Sequence, residues 1–112
     1  MKTLAELTPL TPAVFHILLA LASGDKHGYE IMKQVRHDSS GKVKMGNGTL
    51  YGSIKRMLAD GLIDDAGDNV DPNGDDERRH YYQLTDLGRQ ALNAEVQRYH
   101  ELVTLINQRG LL

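Results

Sequence analysis

A chain of 112 residues, 40% hydrophobic and 25% charged, has room for one domain, or one domain with an appended helix, and an ordinary globular composition. The absence of cysteine excludes a disulfide framework, a cysteine nucleophile and zinc sites built on thiolates, and it suits a reducing cytoplasm. A net charge of −2 argues by itself against a nucleic-acid binder, but residues 26–56 carry seven Lys and Arg against two acids, while residues 57–77 carry eight acids and no Lys or Arg.

Residues 1–10 form a weakly amphipathic arm, with Leu4, Leu7 and Leu10 at helix-like spacing. Lys2 alone would serve as the basic start of a secretion signal, and Glu6, Thr11 and Pro12 break the expected pattern. Thr11-Pro12 starts a helix, with a hydroxyl cap followed by proline at the first helical position. From Pro12 to Ser23 this helix is apolar nearly all round, so it needs burial on every side, some of it against another subunit. Val14 to Ala22, the most apolar stretch, is interrupted by His16 and is too short to cross a bilayer. The chain reads as soluble, unexported and cytoplasmic. Gly24 is the natural C-cap.

A second helix is expected from about His27 to Arg36, with Tyr29, Ile31, Met32 and Val35 on its apolar side. Ser39-Ser40-Gly41 reads as a turn, and Lys42-Val43-Lys44-Met45 alternates like a short strand. The third helix, Asn47 to about Asp60, puts Leu50, Ile54, Met57 and Leu58 on one core-facing stripe. Its opposite face presents Thr49, Gly52, Ser53, Lys55, Arg56 and Ala59, with Tyr51 at the edge of the stripe, its ring against the core and its hydroxyl outward. Gly61 ends the helix.

Leu62-Ile63 begins one strand and residues 79–84 alternate as another. Between them, Ala66 to Glu77 is rich in Asp, Asn and Gly, longer than the usual hairpin loop and expected to be mobile. Two strands after a helix-turn-helix make a wing. Thr85 caps a last helix running to about Gln108, on which Leu92, Val96, Tyr99, Val103 and Ile106 form a seam of about two heptads, widened by Leu102 and Leu105. The expected architecture is therefore mainly α with a small β wing, an α+β winged helix-turn-helix over residues 1–88 and a C-terminal dimerisation helix over 89–112.

Four segments resemble the signature segments of the PadR family: His27-Gly28-Tyr29-Glu30-Ile31, Gly48-Thr49-Leu50-Tyr51, Gly61-Leu62-Ile63, and Arg79-His80-Tyr81-Tyr82-Gln83-Leu84-Thr85. They stand in the family's order, and the resemblance runs from about Thr11 to Gly88. It implies a homodimeric winged-helix transcriptional regulator that represses from a palindromic operator in double-stranded DNA and is released by a small-molecule effector. It also implies that the Gly-Thr-Leu-Tyr helix enters the major groove. Carried over to this chain, Thr49, Tyr51, Ser53, Lys55 and Arg56 would face DNA, with Arg78 and Arg79 at the wing base. Lys33, Lys42 and Lys44 extend the basic stretch, because counterion release responds to local charge. The sequence departs from the family where Gly52 replaces a frequent proline, where Gly46 or Asn47 replaces a capping serine, and in its long acidic wing tip. An acidic tip is repelled by phosphate.

Each reading has a plainer rival. Lys55 and Arg56 could be solvated helix surface, and Tyr51 a core-edge residue. Leu92, Val96, Tyr99, Leu102, Val103 and Ile106 could pair with a second copy or only cover the domain core. A long helix at the end of a small domain has little core left to cover, which favours the dimer. Phe15, Leu19, Tyr99 and Val103 could enclose a cavity for an aromatic or cationic effector, or simply pack. Asn69 to Gly74 imitates a calcium loop but has Asn first and His80 where a bidentate Glu belongs. His16, His27, His37, His80 and His100 form no pair at metal-ligand spacing on one helix, and His16 reads as a hydrogen-bonded core residue. No Walker loop, nucleophile elbow or dinucleotide fingerprint is present, so no enzyme, cofactor, metal or membrane role is expected. The rival function is a winged-helix protein-interaction module without direct DNA binding.

Overall fold

The computed structural model describes residues 2–70 and 78–112. Thr3 opens α1 (Leu4–Leu7) with a reciprocal capping box to Glu6. Thr11 opens α2 (Pro12–Leu21), its hydroxyl accepting the Val14 N–H at 3.3 Å. Ile17, Leu18, Ala20 and Leu21 of α2 are buried, whereas Val14, Phe15 and Leu19 are only half-covered. The helix stops short of Ser23, with Ala22 as C-cap, and Gly24 at φ 141° turns the chain into β1 (Lys26–His27).

The His27 imidazole then caps α3 (Gly28–Asp38): Nδ1 accepts the Glu30 N–H at 3.3 Å, and the Glu30 carboxylate accepts the His27 N–H at 3.1 Å. The expected strand over 42–45 does not form. Ser39 holds that loop by accepting the Val43 N–H at 3.0 Å, so Val43 and Met45 reach the core from irregular backbone. The strand that joins the sheet is β1, two residues at the end of a segment with no alternation to betray it.

α4 (Asn47–Ala59) buries Leu50, Ile54 and Met57, but Leu58 is 38% exposed and leaves the expected stripe. Gly61, at φ 78°, ends it. β2 (Ile63–Val70) and β3 (Arg78–Leu84) form the wing, and β3 lies between β1 and β2 in an antiparallel sheet. β2 runs through Ala66, where a loop was expected to start. A bulge between Asp65 and Gly67 absorbs the extra residue, Gly67 takes φ 86°, and its N–H donates to Asp65 Oδ1 at 2.7 Å. The rest of that expected loop, 71–77, including most of the calcium-loop imitation, lies outside the described residues.

α5 (Asp86–Gln108) is fastened to the α4–β2 turn. Thr85 Oγ1 donates to the Gly61 carbonyl at 2.6 Å and accepts the Gly88 N–H at 2.9 Å. Gly88 is buried against the Leu62 carbonyl so closely that a Cβ would overlap it. One core therefore runs from α2 and α3 through α4 and the wing root to Ala91 and Leu92 of α5. Each fully buried Leu or Ile in it contributes about 1.5–3 kcal/mol relative to exposure.

Candidate nucleic-acid interface

The solvent side of α4 is built from what its core stripe excludes. With Leu50, Ile54 and Met57 inward, 100° per residue puts Gly48, Gly52 and Ala59 at the centre of the outer face. A Cβ at Gly48 or Gly52 would meet nothing within 4 Å, so this ridge is bare backbone. Lys55, on the flank shared with Tyr51, and Arg56, on the flank shared with Thr49, border it, and all four are exposed. Ser53 is half-buried, closer to the core edge than the expected outer face. Among the described residues neither Lys55 nor Arg56 makes an ion pair. Arg56 borders a cleft of about 150 Å³ shared with Lys2, Glu6 and Asp60, in which Lys2 pairs with Asp60 at 3.7 Å.

Tyr51 is not against the core as expected. It is 49% exposed, and its ring lies over Gly28 in the first turn of α3, with Cζ 2.8 Å and Cε1 3.2 Å from where a Gly28 Cβ would stand. The two family-like segments therefore meet in space through a tyrosine and a missing side chain. Next to Gly28, Tyr29 is 53% exposed and carries the Lys33 ammonium 5.3 Å from its ring centroid. Arg36 is exposed one turn further along. Tyr29, expected on the apolar side of the helix, is thus exposed beside the basic residues. Lys42 and Lys44 are exposed on the loop before α4.

The wing differs in electrostatics. His80 stands between two carboxylates of the neighbouring strand: Nδ1 lies 2.6 Å from Asp68 Oδ1, and Nε2 lies 2.7 Å from Asp65 Oδ2. The hydrogen bond to Asp68, and then the charge of Asp65, outweigh burial and raise the His80 pKa above 6.5. Nothing in the residue pattern signals this clasp, because the bulge decides which β2 residues face His80. Each carboxylate takes a different ring nitrogen, and the described residues hold no metal-ligand cluster. Arg78 and Arg79 pair with Val70 and Asn69 at the outer end of the described ladder, not at the wing base, which is Ile63 against Leu84. Arg78 is exposed and Arg79 half-buried.

α5 divides the expected dimer seam. Leu92 is 4% exposed and belongs to the chain's own core, so it cannot line a second-copy interface. Beyond it Val96 (49%), Tyr99, Leu102, Val103 (45%) and Leu105 are exposed and Ile106 half-covered. Between the two parts Glu95 is buried, held by Arg98 at 3.0 and 3.3 Å, and Arg98 lies over the Tyr99 ring. Of the expected effector residues, Phe15 and Tyr99 meet edge to face at 5.1 Å, and Leu19 is half-covered on the same helix as Phe15. His16 also departs from expectation: its ring stands edge-on to Phe15, and among the described residues its buried Nδ1 has no hydrogen-bond partner. No helix among the described residues is long and apolar enough to cross a membrane.

The profile of the Transcriptional regulator PadR-like family matches residues 17–94. A PadR family transcription regulator from hypervirulent Clostridium difficile is 31% identical, superposes with a TM-score of 0.72, and is matched over 88% of this chain and 97% of its own. A transcriptional regulator from Clostridium thermocellum is 27% identical at a TM-score of 0.66, covering 86% and 87%. Bacillus subtilis PadR, solved in complex with operator DNA, shares the fold at 22% identity and a TM-score of 0.62, over 74% of this chain and 45% of that one. An uncharacterised protein of Lysinibacillus sphaericus is 26% identical over 91 residues, 81% of each chain.

Proposed function

The chain belongs to the PadR-like family of transcriptional regulators, DNA-binding proteins rather than enzymes, and from that membership we propose that it is a homodimeric repressor reading a palindromic operator through α4. The observation that carries the reading is the outer face of α4: a bare Gly48–Gly52 ridge bordered by exposed Lys55 and Arg56 without ion pairs among the described residues. Side-chain-free backbone can approach base edges closely, while Lys and Arg on either side reach guanine edges or phosphates. Thr49 and Tyr51 supply hydroxyl donors from the flanks, with Ser53 nearer the core. Lys33, Lys42 and Lys44 add phosphate-neutralising charge on the approach to α4, and Arg78 and Arg79 act from the outer end of the wing ladder. The DNA-bound structure of Bacillus subtilis PadR, which has this fold, supports the same partner here.

The dimer is formed by the exposed stripe of α5: Val96, Tyr99, Leu102, Val103 and Ile106, joined by Leu105. A second copy sets two α4 helices toward half-sites about one DNA turn, or roughly 34 Å, apart. Residues 1–88 act as the DNA-binding part and 89–112 as the dimerisation helix, working in the cytoplasm, where the DNA is. The Phe15–Tyr99 contact, with Leu19 and Val103 beside it, is where an aromatic or cationic effector would enter the interface and loosen the spacing.

The test is mobility shift on a palindromic promoter fragment across a salt series, with wild type and the Lys55→Ala/Arg56→Ala variant. The reading expects binding that weakens steeply with salt and is lost in the double variant. Absent or salt-insensitive binding at low ionic strength contradicts it. A second reading, a winged-helix module that binds protein instead of DNA, is favoured by the acids Asp64, Asp65 and Asp68 on the wing. It expects partner binding indifferent to changes at Lys55 and Arg56.

A further inference from the structure

We infer that Gly28 is a positioning residue for DNA recognition: its missing side chain holds Tyr51 of α4 in the pose from which the phenol contacts the DNA backbone. Gly28 is buried, yet its φ is not positive, so its backbone conformation gives no reason for glycine at that position. Alanine would also suit a helical turn better. What excludes a side chain is the Tyr51 ring, with Cζ and Cε1 within 2.8 and 3.2 Å of a Cβ built there and Oη nearer still. The contrast with Gly48 and Gly52, which face open space, separates two uses of glycine in one interface. On α4 glycine bares the helix, and on α3 it receives a neighbour.

Tyr51 remains half-exposed while the hydroxyl end of its ring packs over Gly28, which restricts its orientation before DNA arrives. A phenol so restricted loses less freedom on binding and can donate to a phosphate oxygen from that orientation. Lys55, one turn along the same flank, neutralises the neighbouring phosphate. Adding one methyl group at Gly28 would swing the Tyr51 ring away while leaving the identity of every DNA-facing residue unchanged.

This inference rests on the DNA-binding reading, and its test separates the two. Affinity for the palindromic promoter duplex is measured by fluorescence anisotropy for wild type, Gly28→Ala, Tyr51→Ala and the double variant, with thermal melts of each. Gly28→Ala and Tyr51→Ala should each weaken binding about ten-fold, and the double variant should bind no worse than Tyr51→Ala alone, because both changes remove one contact. Wild-type affinity in Gly28→Ala, or losses that multiply to about a hundred-fold, overturns the inference and leaves the DNA reading intact. A wild-type protein that does not bind the duplex overturns both. Should Gly28→Ala fail to fold, the double variant decides. With no ring to collide it folds if Tyr51 is the obstacle, and it stays unfolded if Gly28 serves some other contact.

Discussion

The two halves of α5 carry the same apolar periodicity and meet different fates. Up to Glu95 the helix is closed against its own chain: Gly88 on the Leu62 backbone, Ala91 and Leu92 in the core, and Glu95 buried under Arg98. From Val96 onward the stripe continues with residues at least as apolar, and among the described residues it is exposed, interrupted by the Phe15 ring against Tyr99 and the half-covering of Ile106. The period of a seam shows that a face wants a partner. Only the length of the rest of the fold shows whether that partner is the same molecule. A 23-residue helix outruns the core of so small a domain.

Mutations sharpen the division. Leu92→Ala in the closed half should cost about 2–5 kcal/mol of unfolding free energy, because it leaves a cavity among packed neighbours. Chemical denaturation of a dilute, monomeric sample reads this, and a loss below about 1 kcal/mol would move the boundary between the halves toward the N-terminus. Val103→Asp in the open half should leave the monomer folded and weaken self-association by on the order of 100-fold, about 2.7 kcal/mol, since a carboxylate would be buried against apolar partners. Sedimentation across a dilution series measures it, and an unchanged dimer would remove α5 from the interface.

Thr85→Ala tests how firmly the closed half is fastened. Losing the cap to Gly88 and the bond to the Gly61 carbonyl should cost about 1–2 kcal/mol, seen in the melting temperature, with the dimer constant unaffected. The smallest effect extends the contrast from surfaces to charges. On α4 the cations are open to a partner, whereas on the wing His80 is already taken by Asp65 and Asp68, with Tyr82 packed 5.1 Å from its ring. Its folded pKa lies above 6.5, so the clasp contributes fully below that pH and fades as pH rises through the folded value. His80→Gln should flatten that fall in wing stability. A His80 resonance titrating at or below 6.5 would show that the clasp does not hold in solution.

The sequence was most informative where local chemistry decides the outcome. Thr11-Pro12 and Thr85 cap the helices they were expected to cap, and Leu50, Ile54 and Met57 face inward at the spacing that predicts it. It misled where tertiary context overrides pattern. The alternation of Lys42 to Met45 is met by a loop pinned at Ser39, and Leu92 sits in register with a seam whose other members stay exposed or half-covered. Some features have no one-dimensional trace at all. The two-residue strand β1, the bulge that aims Asp65 and Asp68 at His80, and the meeting of Gly28 with Tyr51 all depend on partners far apart in the chain or on one-residue shifts. The bare face of α4 was legible as a list of small and basic residues, but the half-burial of Ser53 was not.

Hydroxyl-radical footprinting of the complex with promoter DNA tests the joined claim that open α5 stripes pair two open α4 faces. Two symmetric protected patches centred about 10 base pairs apart on one side of the duplex, vanishing together in Val103→Asp, are expected. A single patch, or protection that survives the loss of the dimer unchanged, would contradict it.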